Sequence, residues 1–397
     1  LDLIRIREGE TELLTPDPSA FLVRGRFEPS LAPVFFNPRM EFSRDIAVMF
    51  LRLYSGMRDK PLEVCDPLAG SGARGVRYAK EVCNLSLAVV SDLNEDAIPL
   101  IRENARINGV EAKVVVACKD ANLLLNEYAA PGHRFDYVDI DPFGTPSPFV
   151  DSAVRATKNG GVIALTATDT APLCGIYPKA CVRKYGGLPL RGEFCHEVGL
   201  RLMIGDAVTE ALKYDFGAKV LLSYSVDHYF RAYLQLSLGA KRGDESAAQM
   251  GYIIHCPSCG WRSQAALGAA LPCSCPACGG PLGRGGPLWL GELGDRDFLS
   301  ALISSDRSGM GTEKRVSKFL PLLLGELGLP PTYFLVDEIC SRIRRDVPPL
   351  STVIERLMEL GHRAAPTHFH PKAVKTDAPL HVLTRVVEGL RSWEEKK

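Results

Sequence analysis

The sequence predicts an α/β fold, a mixed sheet with helices on both faces, followed by a second, smaller α+β domain built around paired cysteines. Three observations lead there. Apolar β-type runs alternate with helix-length amphipathic stretches as far as about Gly239, several of those runs end in a carboxylate beside Gly or Pro, and two Cys-x-x-Cys pairs stand in the Gly-rich stretch beyond. With 397 residues, 46% of them hydrophobic, the chain is long enough for a well-buried core and, by size, two domains.

The first apolar run, Pro61-Leu-Glu-Val-Cys-Asp66, enters a Gly-rich turn in which Gly70 and Gly72 let backbone approach a ligand where a Cβ would clash. A helix is predicted from Arg74 to Cys83. The second run, Leu87–Val90, leads into Ser91-Asp92, where doubly wound nucleotide folds hold ribose hydroxyls on an acidic side chain. A third, beginning at Val114, ends at Asp120-Ala121 on the same rim, suited to an adenine amine. The fourth, Phe135–Ile140, ends in Asp141-Pro142-Phe143-Gly144. There the Asp141 carboxylate and the Pro142 carbonyl can accept from an exocyclic amine while Phe143 covers a ring face. A helix at Ser152–Thr157, a strand at Gly161–Thr166, a helix at Val198–Leu212 and a hairpin of Ala218–Val226 with Tyr229–Leu236 complete the expected sheet.

The glycines lack the G-x-G-x-x-G dinucleotide fingerprint, and no G-x-x-x-x-G-K-[ST] run is present. With three acidic strand ends converging on one rim, this pattern favours S-adenosylmethionine over NAD or ATP, and hence a methyltransferase-like sheet. The chain resembles the tRNA guanine-26 N2-dimethyltransferases of archaea and eukaryotes. The resemblance covers nearly the whole chain and rests on several stretches. They are Val34-Phe-Phe-Asn-Pro38 with Ser43-Arg44-Asp45, Asp66-Pro-Leu-Ala-Gly-Ser-Gly-Ala-Arg74, Asp139-Ile-Asp-Pro-Phe-Gly144, Thr166-Ala-Thr-Asp-Thr170, Leu173-Cys-Gly175, Lys184-Tyr-Gly186 and Lys375-Thr-Asp377. It implies that Arg44, Arg74, Asp92, Asp120 and Ala121 contact the cofactor, that Phe35 and Phe36 form an aromatic wall beside it, and that Asp141 is the catalytic carboxylate. Arg44 suits the methionine carboxylate, because guanidinium is a fixed fork.

Guanine N2 is a weak nucleophile, its lone pair being delocalised into the purine ring. Asp141 is therefore expected to accept an N2–H bond and align the amine, with Asp141 or water receiving the proton and the Pro142 carbonyl assisting. Phe143 stacks on the base or packs beside the cofactor. Asp139, two residues earlier, shares the face of Asp141 by strand alternation and either organises the loop or touches RNA. The base is expected to leave its stack to reach such a cleft.

Lys and Arg together number 47, as do Asp and Glu, so the net charge of +0 does not itself announce a polyanion partner; RNA contact then depends on a local basic face. No apolar run approaches the ~18 residues of a membrane span, and Leu1–Arg7 is too charged and short for a signal peptide, so a cytoplasmic protein without a membrane or an obligate protein partner is expected. Most of the twelve cysteines, such as Cys65 and Cys118, read as buried thiols.

The polar stretch Ala240–Ser246 marks a boundary, giving a methyltransferase domain over 1–239 and a zinc-containing tRNA-binding domain over 240–397. Cys256-Pro-Ser-Cys259-Gly and Cys275-Pro-Ala-Cys278-Gly, separated by 15 residues, have the spacing of a four-thiolate structural Zn2+ site. Cys273 is a rival third ligand, and Cys275 is favoured because its unit duplicates the first. Farther on, helices are predicted at Lys314–Leu324, with a proline kink or break, and at Leu350–Leu360 after prolines. Arg342, Arg344 and Arg345 read either as a solvated helix end or as a phosphate-contacting surface; the cations and imidazoles of the His362–Lys375 segment add weight to RNA contact, its histidines reading as phosphate, base or core hydrogen-bonding groups. A methyltransferase acting on DNA, free nucleotides or protein glutamine, or a non-catalytic RNA-binding protein, are the rival classes. Neither explains both the acidic rim and the long C-terminal module.

Overall fold

A computed structural model describes residues 2–390, Arg26 and Phe27 by backbone alone; Leu1 and residues 391–397, assigned above to the outer ends of the two domains, lie outside the described residues. The chain opens with an antiparallel hairpin, β1 (Leu3–Glu8) and β2 (Thr11–Pro16), and a short ribbon, β3 (Leu22–Val23) and β4 (Arg26–Phe27). Helix α1 (Glu41–Gly56) is buried on most of its surface because it lies between the sheet and later helices.

The doubly wound part follows as β5 (Leu62–Asp66), α2 (Ala73–Glu81), β6 (Leu85–Asp92), α3 (Ala97–Ile107), β7 (Val114–Cys118), α4 (Ala121–Glu127), β8 (Phe135–Ile140), α5 (Ser147–Ala156) and β9 (Thr157–Ala167). Then come α6 (Thr170–Leu173), α7 (Pro178–Tyr185), α8 (Cys195–Leu212) and the hairpin β10 (Phe216–Val226) and β11 (Tyr229–Leu238). The seven strands run in the order β10-β11-β9-β8-β5-β6-β7, the last five mutually parallel and β11 antiparallel to both of its neighbours, β9 and β10. Every residue of β8 is buried, as a central parallel strand covered on both faces requires. Chain direction reverses its course between β5 and β8, the switch point at which open α/β sheets bind ligands beyond their carboxyl ends. The sheet and its hairpin match the sequence expectation.

The polar stretch at the boundary is itself helical, α9 (Ala240–Ala247), and packs on β10 and α8. A three-stranded antiparallel sheet follows, from β12 (Met250–His255), β13 (Arg262–Ala266) and β14 (Gly283–Trp289), with β12 in the middle. Helices α10 (Arg296–Ser304) and α11 (Glu313–Glu326) return to α1, and Phe298, Leu302, Val316 and Leu320 join its core. Pro321 neither breaks nor ends α11, whose buried face is held by that packing. The last unit comprises β15 (Phe334–Leu335), α12 (Val336–Ile343), α13 (Leu350–Glu359), β16 (Ala364–Thr367), β17 (His370–Thr376) and α14 (Leu380–Gly389), with its own core around Val353, Leu357, Val374 and Leu383.

Two expectations need correction. Cys65 is buried, but Cys118 is exposed because β7 is the edge strand of its sheet. Lys375, placed above in an RNA-contacting tail, is buried in an ion pair with Glu197 at 2.8 Å. His368 takes the core hydrogen-bonding role among those open to it: the Ser225 N–H donates to its Nε2, leaving Nδ1–H to donate to Glu326 at 2.6 Å.

Candidate active site and thiolate cluster

A cavity of about 550 Å³ opens over the carboxyl ends of β5, β6 and β8. Leu68 and Gly70 reach it from the turn after β5, Asp92 and Asn94 from the end of β6, Asp141, Pro142 and Phe143 from the end of β8, and Thr168 from the end of β9. The far wall is the segment between β4 and α1, including Pro33, Phe35 and Asn37. That segment is fastened to the Gly-rich turn. The Ser71 N–H donates to the Phe35 carbonyl at 3.0 Å, and Gly70, at φ +53°, has no room for a Cβ, which would stand 2.7 Å from the same oxygen. Phe35 and Phe143 meet edge to face across the mouth, ring centroids 4.3 Å apart, and Phe143 is 66% exposed.

The two carboxylates of the β8 motif have different surroundings. Asp139, inside the sheet, is fully buried and receives both Arg231 guanidinium nitrogens at 2.7 and 2.8 Å and the hydroxyls of Tyr78 and Tyr137 at 2.5 and 2.9 Å. Burial alone would raise its carboxyl, but the Arg231 and Arg74 guanidiniums prevail and hold it at about 2. It is out of reach of RNA and anchors the loop. Asp141, past the strand end, accepts from Arg74 Nη2 through Oδ2 at 2.5 Å; among the described residues its Oδ1 has no protein donor. The loop itself is closed by a two-way bond. The Gly144 N–H donates to Thr168 Oγ1 at 2.8 Å, and the Thr168 N–H donates to the Gly144 carbonyl at 2.9 Å.

Arg74 is buried, and its Nη1 lacks a protein partner. A buried guanidinium nitrogen left unpaired is costly, and the carboxylate of a ligand would satisfy it. Asp92 has one oxygen on the Gly70 N–H at 2.7 Å and the other on the Asn94 N–H at 2.9 Å, so its orientation toward the cavity is fixed. Asp66, below the turn, accepts from the Gly75 N–H at 3.0 Å; burial, with repulsion from Asp139, pushes its carboxyl up to about 8.

Like Arg74, which reaches the cavity only through Asp141 and does not line it, other residues expected at the cofactor are set farther back. Arg44 is buried in a two-bond pair with Glu8 of β1, at 2.7 and 2.5 Å, and its Nη2 also donates to the Asn37 carbonyl at 3.1 Å. Phe36 lies in a small core with Leu13 and Ala73, under the Arg44 guanidinium, while Phe35 faces the cavity. Asp120 caps α4 by accepting from the Leu123 N–H at 3.1 Å, and Ala121 is buried at the start of that helix. Sequence reasoning missed Thr168, Asn94 and Asn37 as cavity residues. Only Thr168 and Asn37 had any signal, each lying in a stretch that carried the resemblance.

The four cysteines of the paired motifs converge, their sulfurs all within 4.8 Å of one another, whereas Cys273 is exposed and outside the cluster. Cys256 Sγ stands 3.6 Å from Cys278 Sγ, and Cys259 Sγ 3.6 Å from Cys275 Sγ. A tetrahedron with metal–sulfur bonds of about 2.3 Å has edges of about 3.8 Å, whereas a disulfide would bring sulfurs to about 2 Å. The donor set and spacing thus fit a tetrahedral, thiophilic cation. The two turns are alike: Gly260 and Gly279, both at positive φ, donate their N–H groups to the carbonyls of Cys256 and Cys275. Arg262, just beyond the first knuckle, donates to the Tyr333 carbonyl, pairs with Glu193, and lies between the rings of Phe194 and Phe334.

The model of one protein family, N2,N2-dimethylguanosine tRNA methyltransferase, matches residues 9–388. The tRNA (guanine(26)-N(2))-dimethyltransferase of Methanothermobacter thermautotrophicus is 39% identical over 389 residues, covering 98% of this chain and 99% of its own. That of Thermococcus kodakarensis is 38% identical over 406 residues, covering 98% of this chain and all of its own. Among solved structures, Trm1 from Pyrococcus horikoshii in complex with S-adenosyl-L-methionine superposes with a TM-score of 0.85 at 36% identity, covering 97% of this chain and 99% of that one. The cavity at the switch point, the Asp-Pro-Phe-Gly loop on its rim and this similarity along the whole length have one explanation: the chain belongs to the N2,N2-dimethylguanosine tRNA methyltransferase family.

Proposed function

We propose that this protein transfers one or two methyl groups from S-adenosylmethionine to the exocyclic N2 of guanine 26 in tRNA, giving N2-methylguanosine and N2,N2-dimethylguanosine. The observation that carries the chemistry is the state of Asp141, one oxygen clamped by Arg74 and the other without a protein donor beside the cavity. S-adenosylmethionine supplies the methyl group. Asp141 Oδ1 accepts an N2–H bond, turns the amine out of conjugation with the ring and receives the proton, directly or through water. The Pro142 carbonyl offers a second acceptor, and a monomethylated amine still has one N–H for either group. Phe143 and Phe35, in edge contact across the mouth, are suited to part and hold the planar base.

For the cofactor, Arg74 is assigned to the methionine carboxylate, which would satisfy its unpaired Nη1, and Asp92 to the ribose hydroxyls. Arg44 and Phe36 support this wall from behind, through Asn37 and Phe35; Asp120 and Ala121 are assigned to the adenine end. Cys256, Cys259, Cys275 and Cys278 hold one structural Zn2+ that takes no part in methyl transfer. The division into a methyltransferase unit up to residue 239 and a tRNA-binding unit beyond is retained as part of this proposal. No helix among the described residues is long and apolar enough to cross a membrane; we place the enzyme in the cytoplasm, where its substrate is found.

The test pairs two tRNA transcripts, one with guanine and one with adenine at position 26, with wild-type enzyme and Asp141→Asn. Methylation of the guanine transcript alone, with turnover lost and S-adenosylmethionine affinity kept in the variant, is expected. Equal methylation of both transcripts, or normal turnover by the folded variant, contradicts the assignment.

A further inference from the structure

Between Asp169 and Glu193 the chain has no acidic residue, while Lys179, Arg183, Lys184 and Arg191 give it four cations in a protein whose charges balance overall. The same segment exposes apolar side chains that a folded core would normally claim. Ile176 is 54% exposed, Tyr177 61% and Val182 42%. An apolar tip on a basic background is poorly suited to water and well suited to nucleic acid, where bases take the rings and phosphates take the cations.

The segment is fastened to the active-site rim. Lys184 Nζ and the Tyr185 hydroxyl both donate to Asp169, at 2.8 and 2.5 Å. Asp169 directly follows Thr168, which lines the cavity and closes the Asp141 loop through Gly144. Lys184 is thereby occupied. Among the described residues, Lys179, Arg183 and Arg191 have no carboxylate partner within ion-pair distance, whereas Lys184 is paired with Asp169.

We infer that Ile176–Arg191 is the tRNA-docking rim of the active site, with Tyr177 stacking on a nucleotide next to the extruded guanine and Lys179, Arg183 and Arg191 holding the flanking phosphates. A base leaving its stack exposes the faces of its neighbours, and an exposed aromatic ring on a segment fastened to the cavity rim is suited to cover one of them. This rests on the tRNA methyl transfer proposed above and adds the surface that presents the nucleotide.

The variants Tyr177→Ala, Tyr177→Phe and the triple Lys179→Ala/Arg183→Ala/Arg191→Ala would be compared for cofactor affinity by calorimetry, tRNA affinity by filter binding at several salt concentrations, and steady-state methylation. Tyr177→Ala is expected to lose about 10-fold or more in kcat/KM for tRNA, and Tyr177→Phe to retain near-normal values. The triple variant is expected to raise the Kd for tRNA and to reduce the salt slope by about 2 to 3. Cofactor affinity stays unchanged in all, which also shows that each variant is folded. If wild-type enzyme methylates tRNA and the variants match it in rate and tRNA affinity, the rim is not the docking surface. If wild-type enzyme methylates no tRNA, the proposed reaction fails, while equal tRNA binding by wild type and triple variant would separately refute the rim. Unchanged RNA binding with an altered oligomeric state would make the segment a protein-docking face and also overturn it.

Discussion

Asp139 and Asp141 are two residues apart in one strand motif and do opposite work. Alternation places both on one side of β8, and the sequence goes no further, because the partner that decides their roles, Arg231, is 92 residues away. Asp139→Asn would leave Arg231 and part of Arg74 buried without a counter-charge, and a loss of about 3–5 kcal/mol in denaturant-measured stability is expected. Its acid response has a defined sign. The carboxyl is held at about 2 in the fold against an unfolded value of about 3.9, so its stabilisation is complete above the unfolded value and is lost as pH falls through about 2. Asp66 behaves in the reverse way. With its carboxyl pushed up to about 8, the folded protein keeps a proton that the unfolded chain releases near pH 4, and stability declines as pH rises from about 4 to about 8. Asp66→Asn keeps an acceptor for the Gly75 N–H, and its melting temperature relative to wild type is expected to rise with pH across that window. A constant difference from pH 4 to pH 8 would show that Asp66 ionises freely in the fold.

At the level of elements, the parallel strands, the terminal hairpin and the paired cysteine turns were legible because each has a local signature: a continuous apolar run, two β-type runs across a short turn, and Cys-x-x-Cys-Gly repeated. What could not be read was contact between distant segments. Phe35 faces the cavity and Phe36 the core because the Ser71 N–H and the space above Gly70 hold that stretch in register. The Asp141 loop depends on Thr168 in the same way, and Thr168→Val removes one of its two closing bonds. A 10- to 100-fold fall in kcat with unchanged cofactor affinity is expected, as for a small misplacement of a reacting group. The cysteines make a cleaner test. Metal analysis of purified protein is expected to give about one zinc per chain, retained in Cys273→Ser and lost in Cys275→Ser; the opposite pattern would make Cys273 the ligand.

Across the whole molecule, the second half is not tethered loosely to the first. Helices α10 and α11 share a core with α1, Trp289 and Tyr333 share one with the β9 and β11 side of the sheet, and Arg262 joins the thiolate hairpin to the segments that lead into α8 and β15. Removing the metal is accordingly expected to lower the melting temperature and weaken tRNA binding while S-adenosylmethionine still binds, since the cavity is built from residues 28–168. The central claim is the identity of the acceptor atom. It is tested most directly by incubating metal-replete protein with unmodified tRNA and labelled S-adenosylmethionine, then locating the product by nuclease digestion and mass spectrometry. N2-methylguanosine and N2,N2-dimethylguanosine at position 26 are the predicted products. Label on another nucleotide or another atom of guanine, or no transfer by protein that binds the cofactor, would contradict it.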